Sequence, residues 1–213
     1  KAVAGVGVGG MFTWLSQGLA SMARMGGQVQ VAQCIGRGDR EKAHGFAQAA
    51  VQLSAAMGIA YAVFCLIFVN QMVGFFRLED AEAQAAALAY TKIACGLIVF
   101  SFLTLTLTGL YTAQGDSKTP FMANLIGLVT NMILDPVFIF GLRMGISGAA
   151  AATVISQCVS FCILFFQCNF RKGCIRLRPG KFTPSLKIYG EILHAGLPSL
   201  CRQGLASAAA VAL

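Results

Sequence analysis

Asp135 is the acid set deepest in an apolar run, within the stretch TPFMANLIGLVTNMILDPVFIFGLRMGISGAAAATVISQ that fills 119–157. An ionised carboxylate at mid-membrane costs about 2.5–3.5 kcal/mol even on the lenient insertion scale, so this residue needs a chemical reason. Asn131 lies four residues earlier, one helical turn away on the same face. Pro136 follows directly. It has no N–H and clashes with the preceding turn, which leaves the Met132 carbonyl without its helical donor. Arg143-Met144-Gly145 then joins two apolar runs and is short enough to force an antiparallel hairpin. Counted from Met144, Asp135 and Thr153 are equidistant, as are Asn131 and Gln157. The count predicts two polar rungs, Asp135 with Thr153 and Asn131 with Gln157, where the two helices face each other. A carboxylate, an amide, a hydroxyl and a freed carbonyl are hard oxygen donors that suit Na⁺ or a proton, and not a soft metal. The alternative for Asp135 is a protonated acid that only holds helices together by hydrogen bonds.

The elements that position these groups follow from the solvent the chain expects. Of 213 residues, 57% are hydrophobic and 11% charged, and the mean hydropathy is +0.72. Polar side chains cannot cover such a chain in water, so lipid is the expected surroundings. Backbone polar groups in lipid must be bonded within the segment, which selects helices. About 20 residues of helix cross a hydrocarbon core of about 30 Å. The expected fold is therefore all-α, a polytopic transmembrane helix bundle. Five complete spans cover 2–34, 43–76, 92–113, 121–142 and 146–170, and a partial sixth covers 188–213.

Connections carry their own signals. Gly36-Arg37-Gly38-Asp39 ends the first span, with Asp39 able to cap the next helix. Gln114-Gly115-Asp116 ends the third in the same way, hinting at a repeat of helix pairs. Pro120 suits the first turn that follows. The loop Arg77–Glu82 is acidic. Loops after the first, third and fifth spans hold ten Lys or Arg, including a basic linker over 171–187. The positive-inside rule places those loops in the cytoplasm of a multi-pass cell-membrane protein. This accounts for most of the net charge of +8, so no nucleic acid is expected as a partner, whereas membrane lipid is. The ends, Lys1 and Leu213, fall where apolar helices are in progress, so a longer protein is expected, and no signal peptide is recognisable.

Further polar groups in the spans are Gln157, Arg24, Arg202 and Gln203, each able to line a substrate cavity or to serve packing alone. Pro136 and Pro198 are expected helix kinks. The small residues of Gly145–Ala152 permit close helix approach. Eight Cys, mostly in apolar runs, read as small hydrophobes and not as disulfides. No HExxH, GxSxG or Walker-type loop occurs, so nothing supports an enzyme.

These stretches resemble the multidrug and toxic compound extrusion (MATE) family of secondary transporters. The matching text is Ala32-Gln33 to Gly36-Arg37-Gly38-Asp39, Gln114 to Pro120, Asn131 to Asp135-Pro136, and Gly145-Ile146-Ser147-Gly148-Ala149-Ala150 to Ala152-Thr153. The resemblance implies half of a twelve-helix, two-lobe fold: a first-lobe bundle over 1–170 lacking its first helix, the linker over 171–187, and the start of a second lobe over 188–213. It implies a cation site at Asn131, Asp135 and Thr153, with a further acid on the missing first helix. In some members the seventh helix carries a carboxylate; after Pro198 this chain offers Arg202 and Gln203 instead. The implied activity is efflux of organic, often cationic, compounds in exchange for Na⁺ or H⁺ by alternating access. No cofactor is implied, and no metal beyond Na⁺ at the cation site. The partners are then a small organic substrate, the missing helix and the second lobe. A flippase for a lipid-linked saccharide and a non-transporting membrane scaffold are the alternatives.

Overall fold

A computed structural model describes residues 2–75, 88–89, 91–93, 98–142, 145–170 and 186–212. The apolar runs form helices α1 (Ala2–Gly36), α2 (Arg40–Phe75), α3 (Ile98–Ala113), α4 (Lys118–Pro136), α5 (Ile146–Phe170) and α6 (Leu186–Ala212). A π-helical turn, Val137–Gly141, continues α4. No strand occurs among the described residues. The acidic loop Arg77–Glu82, the hairpin residues Arg143 and Met144, and the basic linker over 171–185 lie outside them.

Three helical stretches, Arg40–Val69, Lys118–Gly141 and Ser147–Cys168, are long and apolar enough to cross a membrane. With 35 and 36 residues, α1 and α2 are about 53 Å long, well beyond a hydrocarbon core of about 30 Å. The end of the pair that carries Arg37, Arg40 and Lys42 is here termed the basic end.

Two of the connections at that end are built alike. Gly38 has φ 77° and Gly115 φ 80°, the left-handed region that an L side chain enters only with strain. In the first turn Gly38 N–H donates to Ile35 O and Asp39 N–H to Cys34 O; in the second Gly115 N–H donates to Thr112 O and Asp116 N–H to Tyr111 O. This is the paired closure that satisfies carbonyls orphaned at a helix end. Each Asp then accepts the N–H three residues on: Lys42 N donates to Asp39 Oδ1 at 3.1 Å, and Thr119 N to Asp116 Oδ1 at 3.1 Å. The two helix ends are therefore alike in the backbone as well as in the residue types.

The packed core is uneven along the bundle. A cluster that includes Val31, Phe46, Leu110, Tyr111, Ala123, Leu164 and Ile192 joins all six helices toward the basic end. Tyr111 is buried there and donates its hydroxyl to Leu164 O at 2.9 Å. A smaller cluster of Ala20, Tyr61, Ala62, Cys65, Ile98 and Phe102 joins only α1, α2 and α3 on the other half. Helix α4 packs along α5 and only lightly against α3. Its remaining surface is apolar and open, as at Phe121, Leu128, Met132 and Phe140.

Candidate functional site

The hairpin of α4 and α5 is drawn together by small residues four apart on each helix. A Cβ added to Gly127 would strike Ser160 Oγ and lie 3.1 Å from Ser156 O. Ser160 Oγ donates to Ala123 O at 3.2 Å. The contact is thus Ala123 and Gly127 against Ser156 and Ser160, a small-xxx-small pattern on both sides. The small residues of Gly145–Ala152 are expected to permit close approach in this hairpin, and a Cβ on Gly148 would lie 3.0 Å from the Phe138 backbone. The i, i+4 spacing of these four was the readable signal.

One turn beyond Gly127, Asn131 Nδ2 donates to Thr153 Oγ1 at 3.5 Å. Thr153 Oγ1 in turn donates to Ala149 O at 2.9 Å, which fixes its rotamer. The polar rung therefore joins Asn131 to Thr153, not Asn131 to Gln157 as the count from Met144 predicts. The π-helical turn at Val137–Gly141, where Leu142 N–H reaches back five residues to Val137 O, shifts the register in this direction by part of that turn. An i→i+5 turn spends more residues on each turn than an α-helix does. Residues of α4 consequently sit nearer the hairpin end than an equal count along α5. Pro136 brings this about, because Val137 N–H turns to Leu134 O once the regular ladder is interrupted.

Asp135 occupies the next turn, half-buried, and its Oδ1 is shut away with no hydrogen-bond partner among the described residues. A buried carboxylate oxygen without a donor is costly unless a proton or cation satisfies it. The amide of Asn131 and the hydroxyl of Thr153 supply further oxygens within about a turn, on a helix pair whose registers are set by backbone contact.

The other expected polar residues lie apart from this group. Gln157 offers its backbone carbonyl to Thr104 Oγ1 at 3.4 Å, tying α5 to α3. Arg24 lies on α1 with its Nε buried and unpartnered among the described residues, as is Gln28 Oε1 one turn on. Both pack where Gly109 of α3 leaves room: a Cβ there would lie 2.8 Å from Arg24 Cγ and 3.4 Å from Gln28 Oε1. Arg202 is exposed on α6, and the side chain of Gln203 lies outside the described residues. Pro198 falls inside α6, which continues past it as helix.

The MatE family profile matches residues 1–137. The probable multidrug resistance protein NorM of Thermotoga maritima is 29% identical over 204 residues, covering 93% of this chain and 43% of that protein. A solved structure described as the inward-facing conformation of a multidrug resistance MATE family transporter superposes with a TM-score of 0.86 at 25% identity, over 95% of this chain and 46% of that one. The outward-facing conformation of a MATE family transporter gives 0.84 at 27% identity, over 94% and 44%. The chain thus spans about half the length of the relatives it matches. Those relatives are transporters and not enzymes. With its helical hairpins, its apolar spans and a profile match over more than half its length, the chain belongs to the MatE family.

Proposed function

We propose that this chain supplies one lobe of a secondary active exporter that exchanges Na⁺ or H⁺ for organic, often cationic, compounds. In this reading residues 1–170 are the first-lobe bundle, 171–187 the linker and 188–213 the start of a second lobe. The multidrug resistance names of its relatives support the export of drug-like molecules. Asp135 is the cation acceptor, with Asn131 and Thr153 as neutral oxygen ligands. The observation that carries this assignment is the buried Asp135 Oδ1 without a donor, one turn from the Asn131–Thr153 pair.

The physical sequence is short. An empty, ionised Asp135 is unfavourable in an apolar bundle; a proton or Na⁺ neutralises it and draws the ligands inward. The π turn above Pro136 lets the end of α4 adjust without breaking the helix below it. Two states that differ in affinity for the cation are then coupled to its gradient, which is what exchange requires. The basic loops face the cytoplasm of the cell membrane, and Asp135 takes its cation from the opposite side. In this reading a second acid comes from the first helix of the lobe. Arg24, Arg202, Gln203 and Gln157 are the polar residues available to the substrate path.

The test is export of ethidium from liposomes holding the protein as its own gene encodes it, with an imposed Na⁺ or H⁺ gradient. Gradient-driven export is expected from the native protein. A protein that moves no ethidium under either gradient contradicts the reading and favours a structural role for Asp135.

A further inference from the structure

One polar face of α1 is not used by the cation site. Gln17, Ser21, Arg24 and Gln28 recur at i, i+4, i+7 and i+11, a single stripe on a largely apolar helix. The α1–α6 crossing uses a different side of α1: a Cβ at Gly26 would strike the carbonyl of Ile192, and one at Gly196 the carbonyl of Met22. The stripe is bordered by α3, where Gly109 lies against Arg24 and Gln28. Its other border is α6, where Ser199 Oγ donates to Ser21 Oγ at 3.5 Å. Gln17 is exposed, and Arg24 and Gln28 are half-buried.

A guanidinium keeps its charge at any working pH, and unpaired in an apolar bundle it is costly. Arg24 Nε is nonetheless buried without a partner among the described residues, and so is Gln28 Oε1 one turn on. A donor and an acceptor that could have satisfied each other are both left open. Gly109 supplies the room for the Arg24 stem, since a Cβ there would lie 2.8 Å from Arg24 Cγ. The side chain is only half-buried, and Nε has no bond to give up as the guanidinium turns toward an incoming group.

We propose that Arg24 and Gln28 form an organic-acid site, in which the guanidinium takes a carboxylate of the cargo through two parallel N–H donors. The Gln28 amide is a second hydrogen-bonding arm beside it. One positive charge with a neutral amide matches a monoanion, whereas a phosphate, with close to two negative charges at neutral pH, would stay uncompensated. The use of the site rests on the exporter reading above and extends the cargo to organic acids and zwitterions. Arg24 lies on α1 against α3, and Asp135 on α4 beside α5, so cargo and coupling cation have separate partners of opposite charge.

The test is chemical modification of the native protein, purified as its own gene encodes it. Phenylglyoxal adds to free guanidinium groups, and its adducts on Arg24 and on Arg40, exposed at the basic end, are counted separately by mass spectrometry. Saturating benzoate is expected to slow modification of Arg24 about fivefold or more and to leave Arg40 unchanged. Benzamide, of the same shape without the charge, and inorganic phosphate are expected to protect neither. No protection by benzoate, equal protection by benzamide or phosphate, or equal protection of Arg40 overturns the proposal. So does an Arg24 that resists phenylglyoxal with no benzoate present, because it is then paired within the protein. The labelling needs no transport, so a protein in which benzoate protects Arg24 but which exports no ethidium upholds the site and counts against the exporter reading alone.

Discussion

In the proposed site Thr153 offers the cation one hydroxyl, which a backbone carbonyl already orients. Thr153→Val keeps the shape and removes that oxygen. It is expected to raise the cation concentration for half-maximal export by about 10-fold or more, and Thr153→Ser to restore it. Asn131→Ala removes both a ligand and the donor to Thr153, so its effect should equal or exceed that of Thr153→Val. Titrating export against Na⁺ or pH checks both. A second residue-scale prediction concerns Asp39, whose carboxyl is held below the usual carboxylate range by its hydrogen bonds from Lys42, an ion pair at 2.8 Å. A depressed carboxylate contributes above its unfolded pKa and loses that contribution as pH falls through the folded one. Amide exchange at the first turn of α2 should therefore accelerate only below the usual carboxylate range, and Asp39→Asn should abolish that acid dependence.

At the scale of elements, glycine decides two things. Gly115→Ala meets no neighbouring atom, so its cost is purely that of the left-handed backbone, about 1 kcal/mol. Thermal unfolding in detergent should show the same loss for Gly38→Ala, because the two turns share one geometry. Gly127→Ala acts differently, pressing on Ser160 and the carbonyl of Ser156. It should move α4 off α5, lengthen the Asn131–Thr153 contact and weaken cation dependence more than it lowers stability. Much of this level is legible in the chain: the apolar runs mark the helices, and the Gly-Asp pairs mark where α1 and α3 stop. The pairing of the site residues was legible only in part. Residue counting assumes an α-helical rise throughout, and the π turn after Pro136 breaks that assumption locally. The α1–α6 crossing leaves no local pattern at all, since Gly26 and Gly196 meet only through tertiary packing.

For the whole molecule, the uneven core sets the direction of motion. All six helices contribute to the cluster toward the basic end, α4 through Ala123, whereas the rest of α4 keeps an apolar flank open beside Asp135. Local opening is drawn from the parts with least buried contact, which is the half of the hairpin that holds Asp135. The central claim is that Asp135 binds the coupling cation, and the most direct measurement is ethidium export against an imposed cation gradient by Asp135→Asn protein. Export at background is expected under both Na⁺ and H⁺ gradients, with the variant folded and its ethidium binding retained. Gradient-driven export at the native rate by Asp135→Asn would contradict it.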